Sequence, residues 1–446
     1  MEVVVTRDFR WLLVGQTTSQ FGAQISGVAI PLLAVLTLGA TPFELGLVTA
    51  SGTVAFALIG LPAGAWVDRW RRRRILVASD LVRAGLLATI PVAALAGVLT
   101  ISQLVVVSLL TGFARVFFDV GYQSYLPSVI GKDRLLTGNS AMETIRASGQ
   151  IAGPGVGGWL VTAIGAANVV LIQAGTYLAS ALSLLAIRSR EEVRPPAGES
   201  RLWEQIREGL AYVARHRLIR AVAITSAVNN FAFALASAVS FIFLVRTLGL
   251  TPTLVGIVLA VGSVTAMLGA AVTPRLARRF GPGRIIWLSL AITGPLGVLG
   301  PLAQPGWLVL LLVLGAAVGE LGQIVYAITS VTLRQRIVPE RLLGRVNATM
   351  RFLLMGLFPL GALLGGALGT LVGPRLTLLV ATGLIAVSWL PAYFAISREA
   401  GNLIPDAADR STVQPNQERG DHDRSRGLPG VGDDEAAGRR GGDPQR

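Results

Sequence analysis

Two groups of residues in this 446-residue chain have the types and spacing to do chemistry. The first is GQIAGPGVGG, residues 149–158, which contains G-x-G-x-x-G at Gly153, Gly155 and Gly158. After a strand and before a helix, that spacing cradles a dinucleotide, with an acid about 20 residues on for the ribose. Here the stretch lies inside an apolar run, and neither Asp nor Glu occurs between Leu160 and Ser189. The nucleotide reading is set aside. Gly149, Gly153 and Gly157 instead recur every four residues on one helix face, where they let a neighbouring helix approach closely. Pro154 removes a backbone hydrogen bond and bends that helix. Ordinary tight packing and a gating surface are both open at this point.

The second group is the ionisable and amide residues set in apolar sequence, where each charge is costly and needs an explanation. Cysteine is absent, and His216 and His422 fall outside the apolar runs. A proton carried inside the apolar runs must therefore ride on Asp or Glu. Asp80 and Arg83 are three apart and read as a local pair; Arg115 and Asp119, four apart, form a second. Glu320 lies near the middle of its run and is the candidate proton-coupling residue. Gln16, Gln20 and Gln24 recur every four residues, and Asn229, Asn230, Gln323 and Tyr326 add polar groups elsewhere. They are candidate substrate contacts, with interhelical hydrogen bonding as the alternative.

The elements that must position these residues are membrane spans. The chain is 52% hydrophobic and 14% charged, where a soluble protein carries roughly a quarter charged residues. Continuous apolar runs predict twelve helical spans, at about 11–38, 43–67, 75–98, 102–124, 140–164, 167–187, 219–246, 252–274, 284–302, 306–330, 346–372 and 375–396. No cleavable leader is expected ahead of the first, whose apolar run is too long for one. Arginines crowd the loops after the even-numbered spans, most densely in DRWRRRR at 68–74, which places both termini in the cytoplasm. Those short basic loops are not a nucleic-acid surface, despite a net charge of +14. In the segment 188–218, Leu202, Ile206, Leu210 and Val213 have helical spacing. They predict an amphipathic helix at the membrane surface, or a soluble linker helix. The tail 398–446, rich in Gly, Asp, Arg and Pro, is expected to be disordered.

The chain also repeats itself. TLGATPFELGLV (37–48) aligns with TLGLTPTLVGIV (247–258) at an offset of 210, which also carries Gln20 onto Asn230. The pair Gly157-Gly158 matches Gly365-Gly366 at 208. Two six-helix units repeated in parallel are a transporter architecture, with the substrate site near the midplane between halves that rock. The domains expected are residues 1–187, a linker at 188–218, residues 219–397 and the tail.

These residues resemble the major facilitator superfamily over about residues 7–397. Its signature after the second span, G-x-x-x-D-R-x-G-R-[R/K], is met by Gly64, Asp68, Arg69, Arg72 and Arg73, with Arg71 in place of the second glycine. GQIAGPGVGG matches the fifth-span signature of the family's exporters. FFDVGYQSYLPSVIGKDRLLTGNS and LRQRIVPERLLGRVNATMRF are similar to its multidrug-efflux-like branch.

The resemblance implies an all-α membrane protein of two pseudo-symmetric six-helix bundles, with the glycine-rich fifth span at their seam. Asp68 would meet the N-terminal end of the eleventh span, favoured there by the helix dipole. Arg72 would pair with an acid on the fourth span, for which Asp119 is placed. Spans 4 and 10 line the family's cavity, so Arg115 would face Glu320 across it; a purely structural partner for Glu320 is the alternative. Relatives often carry Asp where this chain has Ala23 and Gln173, so two acids usual in proton coupling are missing.

The implied function is export of small amphipathic molecules (drug, antibiotic or siderophore-like) by alternating access and proton antiport. The implied protein is monomeric, multi-pass in the cytoplasmic membrane and without a cofactor, its partners being substrate, proton and the lipid bilayer. An importer or uniporter of the same fold, or a non-transporting receptor, is the alternative. A membrane-embedded enzyme would need clustered acids or histidines in the spans, and none is present there. No G-x-x-x-x-G-K-[ST] occurs for direct use of ATP.

Overall fold

The computed structural model describes residues 7–60, 62–67, 69–130, 135–188, 202–281 and 283–399. Asp68, Lys132 and Arg134, the linker arginines at 190, 194 and 201, and the tail beyond 399 lie outside them. The helices are α1 (Arg7–Leu32), α2 (Pro42–Ile59), α3 (Pro62–Val67), α4 (Arg72–Leu95), α5 (Ile101–Ile130), α6 (Leu135–Ile164), α7 (Ala166–Ala186) and α8 (Leu202–Arg215). There follow α9 (Arg217–Ile242), α10 (Pro252–Phe280), α11 (Arg284–Leu296), α12 (Leu299–Leu302), α13 (Val309–Ile337), α14 (Glu340–Leu371), α15 (Pro374–Val387) and α16 (Leu390–Glu399). No strand occurs among the described residues.

The sequence repeat is realised as the same corner built twice. α1 runs on through a π-helical turn at Leu33–Thr37, and α9 through another at Phe243–Thr247. Each turn is followed by a glycine in the left-handed region, Gly39 (φ 66°) and Gly249 (φ 68°), which a side chain would strain. The next helix then starts on a threonine cap. Thr41 Oγ1 accepts the Glu44 amide at 3.3 Å, and Thr251 Oγ1 accepts that of Leu254 at 3.4 Å. Glu44 Oε2 in turn accepts the Thr41 amide at 2.8 Å, closing a capping box in the first copy. Proline at the first helical position, where no amide partner is needed, completes both corners.

Eleven of the helical segments are long and apolar enough to cross a membrane. α6 is as long as most, but its six glycines, Pro154 and Gln150 dilute its apolar character. The sequence reading of twelve spans counts it; the expected ninth and twelfth spans are each broken, into α11–α12 and α15–α16.

In the first half α1 packs on α6 and α7, α4 on α5 and α7, and α2 on α5; in the second, α9 packs on α14 and α15, and α13 on α10 and α11. Buried apolar clusters fill each half, one around Leu32, Leu45, Leu87 and Val169, another around Ile286, Leu290, Tyr326 and Ala395. The halves meet chiefly along α2 with α14 and α6 with α10, with α2 also touching α9.

Candidate functional site

The glycine motif serves two neighbours at once. On its first face, a Cβ on Gly153 would stand 2.4 Å from Gln24 Cβ, and one on Gly157 2.7 Å from the Ile25 carbonyl oxygen. Gly149 faces the same stretch of α1, with Gln24 Cγ at 3.6 Å. The stripe at 149, 153 and 157 therefore binds α6 to α1 inside the first half rather than at the seam. The seam belongs to Gly158. A Cβ there would lie 2.3 Å from the Pro252 carbonyl oxygen and 2.9 Å from Gly256 Cα, on α10. Gly256 faces the Pro154 carbonyl oxygen at 2.4 Å by the same construction.

The second half repeats this division. A Cβ on Gly365 would run into the Leu235 carbonyl oxygen of α9, while one on Gly366 would stand 3.1 Å from Gly46 Cα of α2. Gly366 was marked by the repeat as the match of Gly158; Gly46 and Gly256 were not singled out by sequence, although the offset of 210 relates them. Hydroxyl groups close both seams at the end where α2 and α10 begin: Thr162 and Thr253 lie 2.8 Å apart, and the Phe43 amide donates to Thr370 Oγ1 at 3.1 Å.

The polar candidates separate into three sets. Glu320 and Gln323 of α13, with Asn229 of α9, line a cavity of about 270 Å³ walled by apolar residues such as Phe233 and Leu290. Thr293 and Thr382 join it; single threonines in apolar helices carried no sequence signal. Among the described residues the Glu320 carboxyl has no hydrogen-bond or ion-pair partner, and its Cγ would meet a Cβ on Gly262 at 3.5 Å. No contact joins Glu320 to Arg115, whose Nε lies 3.7 Å from Asp119 Oδ2 on its own helix. The second set ties helices together. Asn229 Nδ2 donates to Ser388 Oγ at 2.8 Å and to the Thr225 carbonyl at 3.0 Å, so it both lines the cavity and links α9 to the α15 end. Asn230 Nδ2 donates to the Leu354 carbonyl at 2.5 Å. Tyr326 is 2% exposed, its hydroxyl shared with Ser226 Oγ at 2.6 Å and the Val222 carbonyl at 3.2 Å. It is a packing residue of the second half. In the third set, on α1, Gln16 is buried, Gln20 half-buried, and Gln24 faces the glycine stripe.

Asp80 and Arg83 form the expected buried pair on α4, and the Arg83 guanidinium sits between Phe118 and Tyr177, 4.3 and 4.2 Å from the ring centres. Ahead of the arginine loop, Gly64 lies within α3 with open space where a side chain would be, and Arg69 is exposed. Arg73 Nε donates to the Leu184 carbonyl at 2.9 Å, fastening the start of α4 to the end of α7. That contact leaves Arg73 spent inside the first half.

The linker helix forms as expected over Leu202–Arg215, and one of its edges is covered by protein. Val213 is 4% exposed, packed among Ile219, Val222, Leu342 and Met350, while Leu210 is exposed. Glu208 pairs with Arg345 and lies 3.9 Å from Arg341, and Gly209 allows α8 to press on the Arg345 carbonyl. α8 is thus docked on the start of α14; the side chains of Leu202 and Ile206 lie outside the description.

This arrangement has close counterparts. The Major Facilitator Superfamily model matches residues 12–357 and, in a second match, 222–420. The multidrug efflux pump Tap of Mycolicibacterium fortuitum is 30% identical over 382 residues, covering 82% of this chain and 90% of that protein. The enterobactin exporter EntS of Escherichia coli O1:K1 is 27% identical over 387 residues, covering 82% and 86%. Among solved structures, a bacterial homologue of the iron transporter ferroportin in an inward-facing state aligns with TM-score 0.71 at 15% identity, covering 89% of this chain and all of that one. The nucleoside transporter NupG aligns with TM-score 0.69 at 16% identity over 88% of this chain. With its repeated corners, glycine seams and multi-pass helices, the chain belongs to the Major Facilitator Superfamily, as a membrane transporter rather than an enzyme.

Proposed function

We propose that this protein exports small amphipathic molecules across the cytoplasmic membrane by alternating access, in exchange for protons. The observation that carries the reading is the pair of seams, where the halves touch through glycine and hydroxyl groups at the end where α2 and α10 begin. Seams built on close glycine contact, with only a few side chains crossing them, favour two bundles, 1–187 and 219–397, that separate and re-form contact. Arginine placement in the loops supports a cytoplasmic position for both termini; the hydroxyl-closed seam ends would then face outward. Export is favoured by GQIAGPGVGG and by the relatives, a multidrug efflux pump and an enterobactin exporter by their names. Glu320 is proposed as the proton carrier, with Gln323 and Asn229 beside it as substrate contacts. Asp68, Arg69, Arg72 and Asp119 are proposed as the cytoplasmic latch of the opposite state, with the protein acting as a monomer.

Everted vesicles containing the protein, loaded with an imposed pH gradient and given a fluorescent cationic dye, test this. Dye should accumulate inside only while the gradient lasts. Accumulation confined to right-side-out vesicles would reverse the direction, and indifference to the gradient would remove the proton.

A further inference from the structure

Beyond the transport pathway, a groove of about 810 Å³ runs between α4 and α5. Its floor is apolar, from Ile75 and Phe117 to Leu86 and Leu110, and its mouth carries Arg69, Arg71 and Arg74. From Arg74 to Leu86 a helix rises about 18 Å, close to the ~15 Å depth of one leaflet of hydrocarbon. The groove is on the outer side of the bundle: Val82 and Leu110 are half exposed, and Asp119 lies half a turn round α5 from Leu110. Trp66, stacked on Phe117 with ring centres 6.0 Å apart, and the exposed Trp70 mark the headgroup level at its mouth. Among the described residues the guanidinium groups of Arg69, Arg71 and Arg74 have no hydrogen-bond or ion-pair partner, in contrast to Arg73. Arg71 is the residue that stands where the family signature has glycine, so this chain adds a cation at the mouth.

We propose that this groove binds one anionic phospholipid, its acyl chain along Val82 and Leu86 and its phosphate held by Arg71 and Arg74. The chemistry is paired: an apolar slot one leaflet deep suits an acyl chain, and uncompensated arginines at headgroup level suit a phosphate. A zwitterionic lipid would fill the slot but bring its own cation to the arginines. A soluble phosphate would meet the arginines and leave the slot empty.

The test uses the full chain in phosphatidylcholine nanodiscs doped with phosphatidylglycerol or phosphatidylcholine bearing a photoreactive group in the acyl chain. Cross-links are mapped by mass spectrometry. The anionic probe should label residues 82–86 and 110–114 roughly tenfold more than the zwitterionic one, given the strength of arginine–lipid attraction at the surface. Arg71→Gln with Arg74→Gln should abolish that preference. Ala78→Trp, an exposed groove position, should block labelling by both lipids with the arginines intact, and it stands in should the double variant fail to fold. Equal labelling by both probes, or labelling that Ala78→Trp leaves unchanged, overturns the proposal. So does loss of the anionic preference on adding excess inorganic phosphate, which would assign the arginines to a soluble anion.

Discussion

Gly158 of α6 lies against Gly256 of α10 so closely that a methyl group on Gly158 would stand 2.9 Å from the Gly256 Cα. Neither residue can gain a side chain while the seam stays closed. Overpacking of this kind costs about 1–3 kcal/mol, enough to move a two-state equilibrium by about tenfold. Gly158→Ala is therefore expected to favour separation of α6 from α10. The chain has no cysteine of its own, so maleimide labelling of Thr253→Cys reports this seam alone. Labelling should quicken about tenfold in the Gly158→Ala background; an unchanged rate would mean that the seam does not open. Gly157→Leu makes the contrast, because it drives a side chain into the Ile25 carbonyl within one bundle, and should reduce the yield of folded protein.

Glu320 has the cavity, and Gln323 and Asn229 line it too, but it has no cationic partner among the described residues. Glu320→Gln keeps the shape and removes the exchangeable proton. Export driven by a pH gradient should fall at least about tenfold, at the scale of a lost acid–base group, while substrate exchange without a gradient persists. Measured in proteoliposomes, gradient-driven export at the original rate would assign the proton elsewhere.

The Asp80–Arg83 pair should carry stability rather than transport. Both side chains are buried, and removing one partner of a buried pair costs about 3–5 kcal/mol. Asp80→Asn should lower the unfolding temperature in detergent, followed by tryptophan fluorescence. Asp80→Asn with Arg83→Met should recover most of that loss, since no charge is left stranded. A double variant as unstable as the single one would contradict the account.

At the linker helix, packing should outweigh charge. Val213 is buried, whereas Glu208 is 42% and Arg345 36% exposed in their side chains. Val213→Ala is expected to weaken docking of α8 by about 1–2 kcal/mol, and Glu208→Gln by less than about 1 kcal/mol. Hydrogen exchange of the α8 amides ranks the two. Faster exchange in Glu208→Gln than in Val213→Ala would reverse the ranking.

The spans, the duplication and the local Asp80–Arg83 pair were legible because they depend on runs and on spacings within one helix. The division of labour between Gly157 and Gly158 was not. Adjacent residues on a helix point about 100° apart, and which neighbour each meets is decided by helices far away in sequence. Tyr326 was misplaced for the same reason: a tyrosine on a cavity-lining span can turn its hydroxyl to a partner inside its own bundle, here Ser226. Arg115 and Glu320 looked like partners because both are near mid-span, but depth in the membrane fixes one coordinate and leaves rotation about the helix axis open. Val213 was read as part of the apolar face of a membrane-surface or linker helix, and what covers it, the start of α14, is set by residues far away in sequence.

The π-helical turn at the end of α1 has one more consequence. A widened turn leaves a carbonyl without its usual donor four residues on, and the Val35 carbonyl accepts instead from Arg246 Nη2, 3.1 Å away in the other bundle. At the repeat-related position this chain has Leu36, exposed and unable to return the bond. The twofold likeness of the bundles is broken there by a single asymmetric clasp, one arginine reaching one way. Such a bond holds about 1.5–3 kcal/mol, a modest share of what joins the two bundles and one that a single substitution at Arg246 would remove.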